Sequence, residues 1–418
     1  MVPKGWERKP IKELCESIID CVNKTATHVD HETPYKMIRT TNVRNGRVDV
    51  HNVRYVEEDT YKQWIRRGAP KDGDIIFTRE APVGEAGILE NAEGIFLGQR
   101  TMMYRSHPEK SDNRFLFYSL MSGYCQKQIE DLSNGGTVAH MRVPDCGELI
   151  INTPPLPEQR KIAKILSTWD KAIATTEQLI ATSQQQKKAL MQQLLTGKKR
   201  LIDPETGKVF EGDWEEVNLS KLCSRLTEKN KGQSTNVVTI SAQHGLIRQE
   251  EFFKKSVASE TLDNYFILRQ GQFAYNKSYS NGYPMGAIKR LNRYEDAVVT
   301  SLYICFEIKD HRNTSSCFLE QFFESGLLNR GLTKVAAEGG RAHGLLNVKP
   351  TDFMALTLHI PKFKEQQKIA SVLTVADKEI ELLQAKLAHL KEEKKALMQQ
   401  LLTGKRRVKV ETTEEATC

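Results

Sequence analysis

The 418-residue chain has no run of about eighteen apolar residues, which excludes a membrane-spanning helix. Its opening, Met1-Val2-Pro3-Lys4-Gly5, lacks the apolar core of a secretory signal, so a cytoplasmic protein with no membrane partner is expected. Eight cysteines (15, 21, 125, 146, 223, 305, 317 and 418) never form a Cys-x-x-Cys pair. Neither a zinc knuckle nor a disulfide framework is implied, and these residues read as small core hydrophobes in a reducing compartment. Phosphate-binding loops are missing too. Thr196-Gly197-Lys198-Lys199 and Thr206-Gly207-Lys208-Val209 lack the earlier glycine and the final Ser/Thr of a Walker A loop. Asn152-Thr-Pro-Pro-Leu156 carries an extra Thr, and no aromatic, relative to the Asn-Pro-Pro-Tyr loop that grips a flipped adenine. Pro144-Asp145-Cys-Gly-Glu148-Leu149 has no Lys two residues after Glu148, as a nuclease Pro-Asp…Glu-x-Lys site requires. With no His/Asp/Glu cluster at metal-ligand spacing, the chain reads as a binding protein with no catalytic residue, metal or cofactor of its own.

What is present is a repeat. Lys187–Lys198, Lys-Lys-Ala-Leu-Met-Gln-Gln-Leu-Leu-Thr-Gly-Lys, recurs unchanged as Lys394–Lys405, at an offset of 207 residues. Over 158–200 against 365–407, 23 of 43 positions are identical without a gap, so the match reaches far beyond the twin segment. A fainter echo opens each copy, Gly5-Trp6-Glu7 with Leu14-Cys15 against Asp213-Trp214-Glu215 with Leu222-Cys223. Solenoid units are only roughly 20–50 residues long, so this period means two domains that differ, each followed by a segment that is held alike. The net charge of +8 and pI near 8.9 favour an anionic partner.

The repeated segments carry heptads. Ile369, Leu373, Ala376, Ile380, Leu383, Leu387, Leu390, Leu397 and Leu401 follow a 4-3 alternation that Lys394 alone interrupts. The first copy keeps the register at Ile162, Leu166, Trp169, Ile173, Ile180, Leu190 and Leu194, but places Thr176, Ser183 and Lys187 on the seam. Both end in Leu-Leu-Thr-Gly and a basic cluster, a glycine stop with cations at the negative end of the helix dipole. Helices ending near Thr196 and Thr403 are predicted, with prolines 154, 155, 157 and 361 marking their starts. A helix from Glu365 to Thr403 would span roughly 58 Å. The order domain, helix, domain, helix makes an antiparallel pair the simplest arrangement; the alternative is that each helix lies on its own domain as an amphipathic surface helix.

The expected fold class is α+β: two recognition domains separated by two long antiparallel coiled-coil helices, in a pseudo-twofold circular organisation. The predicted boundaries are 1–153, a central spacer helix 154–200, 201–357, a C-terminal spacer helix 358–407, and a polar tail 408–418. Strand-like runs occur at Tyr35–Arg39, Asp72–Phe77, Gly94–Leu97, Val237–Ile240, Gly271–Tyr275 and Val298 through Phe306, and helical ones at Phe115–Leu120 and Phe318–Phe323. Reading bases takes Arg, Lys, Asn, Gln and Ser on loops. The candidates are Arg39, Thr40, Asn42, Arg44, Arg79, Gln99, Arg100, His140 and Arg142 in the first domain. Ser241, Gln243, His244, Asn276, Lys277, Tyr279, Ser280, Arg341 and His343 are those of the second.

Trp6-Glu7, Asp213-Trp214-Glu215-Glu216-Val217, Gly73-Asp74-Ile75-Ile76-Phe77-Thr78-Arg79, Pro157-Glu158-Gln159-Arg160-Lys161-Ile162-Ala163 and the twin Leu-Met-Gln-Gln-Leu-Leu-Thr-Gly segments together resemble the specificity subunit of type I restriction-modification systems, over essentially 1–407. The second domain departs from the pattern, with Gly271-Gln-Phe-Ala-Tyr-Asn276 in place of Gly-Asp-Ile-Ile-Phe. The resemblance implies double-stranded DNA as partner, read as a split asymmetric site, one half per domain. It implies two modification (methyltransferase) subunits and motor-nuclease restriction subunits, to which S-adenosylmethionine, ATP and Mg would belong. The twin segments, through Leu190, Gln193, Leu194, Leu397, Gln400 and Leu401, would present equivalent surfaces to the two modification subunits. A coiled-coil scaffold of such an assembly without its own sequence readout is the alternative; a stand-alone methyltransferase or nuclease is disfavoured by the missing motifs.

Overall fold

The structure, a computed structural model, describes residues 2–133, 139–252, 261–336 and 346–410. The chain divides into two compact units, Met1–Glu177 with Ala385–Cys418, and Gln178–Gln384. Each boundary cuts a long helix, so each unit takes the first half of one long helix and the second half of the other. These helices, Leu156–Leu194 and Phe363–Leu401, have 39 residues each and start and stop close to where the prolines and the Leu-Leu-Thr-Gly motifs predict.

In the first unit, a four-stranded antiparallel sheet has the order Cys15–Asp20, Thr101–Ser106, Ile75–Arg79, Val83–Ile88. A smaller sheet places Lys36–Ile38 between Arg54–Tyr55 and Ile95–Leu97, the latter in parallel. Between Val43–Arg44 and Arg47–Val48, Asn45 and Gly46 take φ of 53° and 79°, the left-handed pair that a tight hairpin needs. The helix Asn113–Leu120 starts where the Asp112 carboxylate accepts from the Phe115 amide, and it buries Phe115, Leu116 and Leu120.

The second unit repeats the plan with little sequence in common. Its four-stranded sheet runs Cys223–Leu226, Ile304–Ile308, Phe273–Asn276, Ala287–Arg290, the same order in chain terms, and Ser315 caps the helix Ser316–Glu324. One expectation fails here. The run Val298 through Phe306 is two strands, Asp296–Val299 and Ile304–Ile308, in different sheets. The residues between them turn, leaving Leu302 exposed, and apolar content alone does not register that break.

Each unit is closed by residues remote in sequence. In the first, Ile162, Ala163 and Leu166 from the start of one helix join Leu401 and Leu402 from the end of the other, around Trp6, Ile11 and Tyr104. In the second, Ile369, Ala370 and Leu373 join Met191, Leu194 and Leu195 around Phe273 and Phe306. Polar bonds repeat at the same offset. Glu158 receives the Arg407 guanidinium through two bonds of 2.7 and 2.8 Å; Glu365 receives Arg200 through bonds of 2.6 and 2.7 Å. Asp170 pairs with Lys394, and Asp377 with Lys187. The lysines that interrupt the heptads are thus charge partners of the facing helix half. Within the first unit the pairs 158–407, 170–394 and 177–391 run in opposite sequence senses, so the two half-helices are antiparallel there. Seam positions are buried or half-buried along both helices, Thr176 included, whose hydroxyl is satisfied by the Ala172 carbonyl.

The glycine stops have a second purpose. Gly404 and Gly197 have φ of +71° and +70°, and a Cβ on Gly404 would stand 2.4 Å from Pro3, on Gly197 3.4 Å from Trp214. The chain turns there under the tryptophan that opens each copy. No helix among the described residues is long and apolar enough to cross a membrane, and no disulfide or metal-holding group of His, Cys, Asp and Glu occurs among them.

The packing makes two features testable. Removing one partner of a buried ion pair costs about 3–5 kcal/mol, because the remaining charge is left without compensation. Glu158 also accepts from the Trp6 indole at 3.1 Å, whereas among the described residues the buried Trp214 indole nitrogen has no partner and the Glu365 carboxylate is held by Arg200 alone. Arg200→Ala should therefore lower the unfolding midpoint of the full chain in urea by more than Arg407→Ala does; equal losses would contradict the asymmetry. Burial pushes the thiols of Cys15, Cys125, Cys146, Cys223 and Cys305 up to about 12. Of the seven cysteines described, exposed Cys317 should be the first alkylated by iodoacetamide at neutral pH, as read by peptide mass spectrometry.

Candidate nucleic-acid interface

In the first unit, backbone bonds gather several predicted residues at one end of the sheets. The Arg79 amide donates to the Arg100 carbonyl, Met141 donates to the Arg79 carbonyl, and Glu80 bridges to His140. The Gly98 amide donates to Ile38, which sets Arg39 beside the Gln99–Arg100 turn. Arg100 has φ of +71° and is exposed, with Glu80, 3.1 Å away, as its one ion partner among the described residues. Gln99 is half-buried and accepts from Thr25, and His140 is exposed. Arg100 and Gln99 are available to a ligand at the cost of one weak contact each.

Other predicted residues are tied into the fold. The Asn42 side chain is buried, accepts from the Arg39 amide, and donates to the carbonyls of Asp49 and Asn52. Arg44 donates to the Thr40 and Val43 carbonyls. Arg79 is paired with Asp20 at 3.1 Å and donates to the Met141 carbonyl, tying the strand Ile75–Arg79 to the loop beyond it. Arg142 forms a two-bond pair with Asp145, so the Pro144-Asp145 stretch is a short helix start held by arginine, while Glu148 is taken by Lys12. Thr40, half-buried, sits in the short turn Thr40–Asn42.

The second unit presents two loops. Gln243 and His244 are exposed in the turn between Val238–Ser241 and Gly245–Arg248, while Ser241 is buried and its hydroxyl accepts from the His244 amide. Beyond Phe273–Asn276, the Asn276 carboxamide oxygen accepts from the Ser278 amide, and Ser280 and Tyr283 exchange backbone bonds around Asn281-Gly282. Tyr279 is 67% exposed at this tip. Lys277 is half-buried, and its carbonyl accepts from the Leu346 amide. Arg341 and His343 lie outside the described residues.

Sequence reading missed the anchor of that loop. The Tyr283 hydroxyl donates to Glu324 at 2.7 Å, and Lys289 bonds to Glu324 and lies 4.8 Å from the Tyr283 ring centroid. Burial, then the Glu324 charge, raises the Tyr283 hydroxyl well above the ordinary phenol range. The only sequence signal was Lys289, which follows two apolar residues in the short strand Ala287–Arg290, where a buried ionisable group calls for a partner.

The predicted partner-facing residues also separate. Leu194 and Leu401 are core members of their own units, which corrects the expectation that they face a partner: a side chain already enclosed has no area left to bury. Leu190 and Leu397 are half-buried against the same cores, and Gln193 and Gln400 are exposed.

Residues 3–183 and 211–392 each match the model of the type I restriction modification DNA specificity domain. The chain belongs to that family. It is 27% identical, over 83% of its length and 85% of the relative, to the type I restriction enzyme MjaVIII specificity subunit of Methanocaldococcus jannaschii. The type I restriction-modification system S subunit from M. genitalium has a similar fold, with a TM-score of 0.57 at 15% identity, covering 95% of this chain and 96% of that one. A chain from a structure describing complex assembly and conformational transition of the type I R-M system aligns with a TM-score of 0.55 at 16% identity, over 97% of this chain and 100% of that one. The two family matches fall on the two sheet-bearing segments and the beginnings of the helices, so the internal repeat is a duplication of this domain.

Arg79→Ala should lower thermal stability, because it orphans the Met141 carbonyl and weakens the hold on Asp20, at about 1–3 kcal/mol. Arg100→Ala should leave stability within about 0.5 kcal/mol of wild type. A matched loss in a melting experiment would show that the fold depends on Arg100 as much as on Arg79.

Proposed function

We propose that the chain is the DNA-reading subunit of a type I restriction-modification assembly, contributing recognition and no chemistry, with each unit reading one half of a split, asymmetric site. One observation carries this. The two units share a strand order and a duplicated set of closing bonds, while the loops at their exposed ends, Gln99–Arg100 with His140 against Gln243–His244 with Lys277–Asn281, are unlike. A common frame with different loops is what two half-sites of different sequence require. Arg100 and Gln243 are suited to base edges and Tyr279 to stacking.

The long helices act as an antiparallel spacer between the two readers, which the charge pairs within each unit and the protected seams support. At roughly 58 Å each, they would separate the half-sites by one to one and a half turns of DNA, taking a turn as ~34 Å. The exposed faces of the twin segments, Gln193 and Gln400, meet equivalent surfaces of two modification subunits, and restriction subunits complete the complex. A scaffold without readout would instead shift no DNA in a gel at low salt.

Methylation mapping in cells carrying this chain and its partner subunits should return one bipartite motif with a fixed gap. Exchanging residues 1–153 for those of another family member should change one half of the motif only; an unchanged motif would sink the assignment of half-sites to units. Inserting seven residues at equal places in both helices adds ~10.5 Å, about three base pairs of spacer. A gap that stays the same would mean the helices do not set it.

A further inference from the structure

In the smaller sheet of the first unit, Met37 stands directly opposite Arg54 and beside Phe96. Side chains alternate along a strand, so Tyr35, Met37 and Arg39 share one face, Arg39 being extended with φ of −106° and ψ of 168°. Arg54 lies on that same face as a diagonal neighbour of Arg39. The face is otherwise apolar: Met37, Val56 and Phe96 are buried in one cluster with Tyr35, Tyr61 and Trp64 packed against it.

Arg39 and Arg54 are therefore neighbouring cations on the face that carries this apolar cluster. Arg39 is half-buried and Arg54 exposed, and among the described residues neither side chain makes an ion pair, whereas Asp74 and Arg105 of this unit are paired. Among the described residues the buried Arg39 Nε has no acceptor, and neither has the buried indole nitrogen of Trp64, which packs against that cluster. Burial, then the charge of Arg54, pulls the Arg39 guanidinium below its ordinary value, the direction expected for a partly buried cation beside a like charge. Buried donors without acceptors beside a doubled positive charge indicate a missing anion. A neutral base edge would accept hydrogen bonds but leave the repulsion in place; a phosphodiester relieves both, since guanidinium forks match its oxygens.

We infer that Arg39 and Arg54 together clasp one phosphate of the DNA backbone, fixing the register of the first unit on the duplex and reading no base. This rests on DNA being the ligand. It moves Arg39 from base reader to positioning contact and adds Arg54.

The test measures binding of the full chain to its mapped duplex and to an unrelated duplex of equal length, across a KCl series, for wild type, Arg39→Gln, Arg54→Gln and the double variant. Each single variant should weaken both duplexes by the same several-fold factor and reduce the slope of log affinity against log salt by about one. The double variant should be scarcely worse than either single one, because one phosphate is lost in every case. Arg54→Lys should keep most of the slope, which separates charge from folding. Loss on the mapped duplex alone would make these residues base readers, and undiminished binding to both would remove them from the interface; either overturns the clasp. If inorganic phosphate protects the native chain from unfolding in an Arg54-dependent way while DNA binding is untouched, the site takes a free anion and the assignment to DNA falls. Wild type binding both duplexes equally would defeat sequence recognition, yet the slopes would still report on the clasp.

Discussion

A carboxylate with almost no solvent exposure, held by an arginine from far along the chain, underlies the architecture. Glu158 and Arg407 are 249 residues apart, and Glu365 and Arg200 are 165 apart. Each pair carries the end of one long helix to the beginning of the other, and the flanking leucines then fill the core that the sheet leaves open. A buried carboxylate without its arginine would be too costly to tolerate, so the pair selects against any closure that misplaces the helix end. The heptads contribute area, and the ion pairs set which ends meet.

This explains why the repeat is best kept over its last turns. Lys187 to Arg200 and Lys394 to Arg407 supply the same four things to each unit: a lysine for the aspartate, leucines for the core, a left-handed glycine beneath a tryptophan, and an arginine for the glutamate. The copies differ where the surroundings differ. Tyr118 donates to Asp170 in the first unit, and Gln321 donates to Asp377 in the second. Gln159 and Gln366 hold equivalent positions, each accepting an amide at the start of a domain helix and donating to a proline carbonyl.

At the interface the deciding property is whether a side chain is already engaged. Asn42, Arg44, Arg79 and Ser241 have the chemistry for reading DNA and spend it on their own backbone or on an internal carboxylate. Arg100, His140, Gln243 and Tyr279 have comparable chemistry and project outward. The loops that carry the second group are held by residues with no recognition signature, of which the Tyr283, Lys289 and Glu324 cluster is the clearest.

Local order was legible from residue order alone. Helix length, register and termination follow from the spacing of leucines, the prolines ahead and the glycines behind, because a helix closes its hydrogen bonds within a few residues. The duplication and the main strands were legible on similar grounds. Long-range pairing was not. That Val298 through Phe306 splits between two sheets, that Lys394 answers Asp170, and that Arg39 neighbours Arg54 depend on register between segments distant in sequence. Residue type says what a side chain can bond; only the tertiary structure decides whether that capacity is already used, because the neighbour that uses it can lie anywhere along the chain.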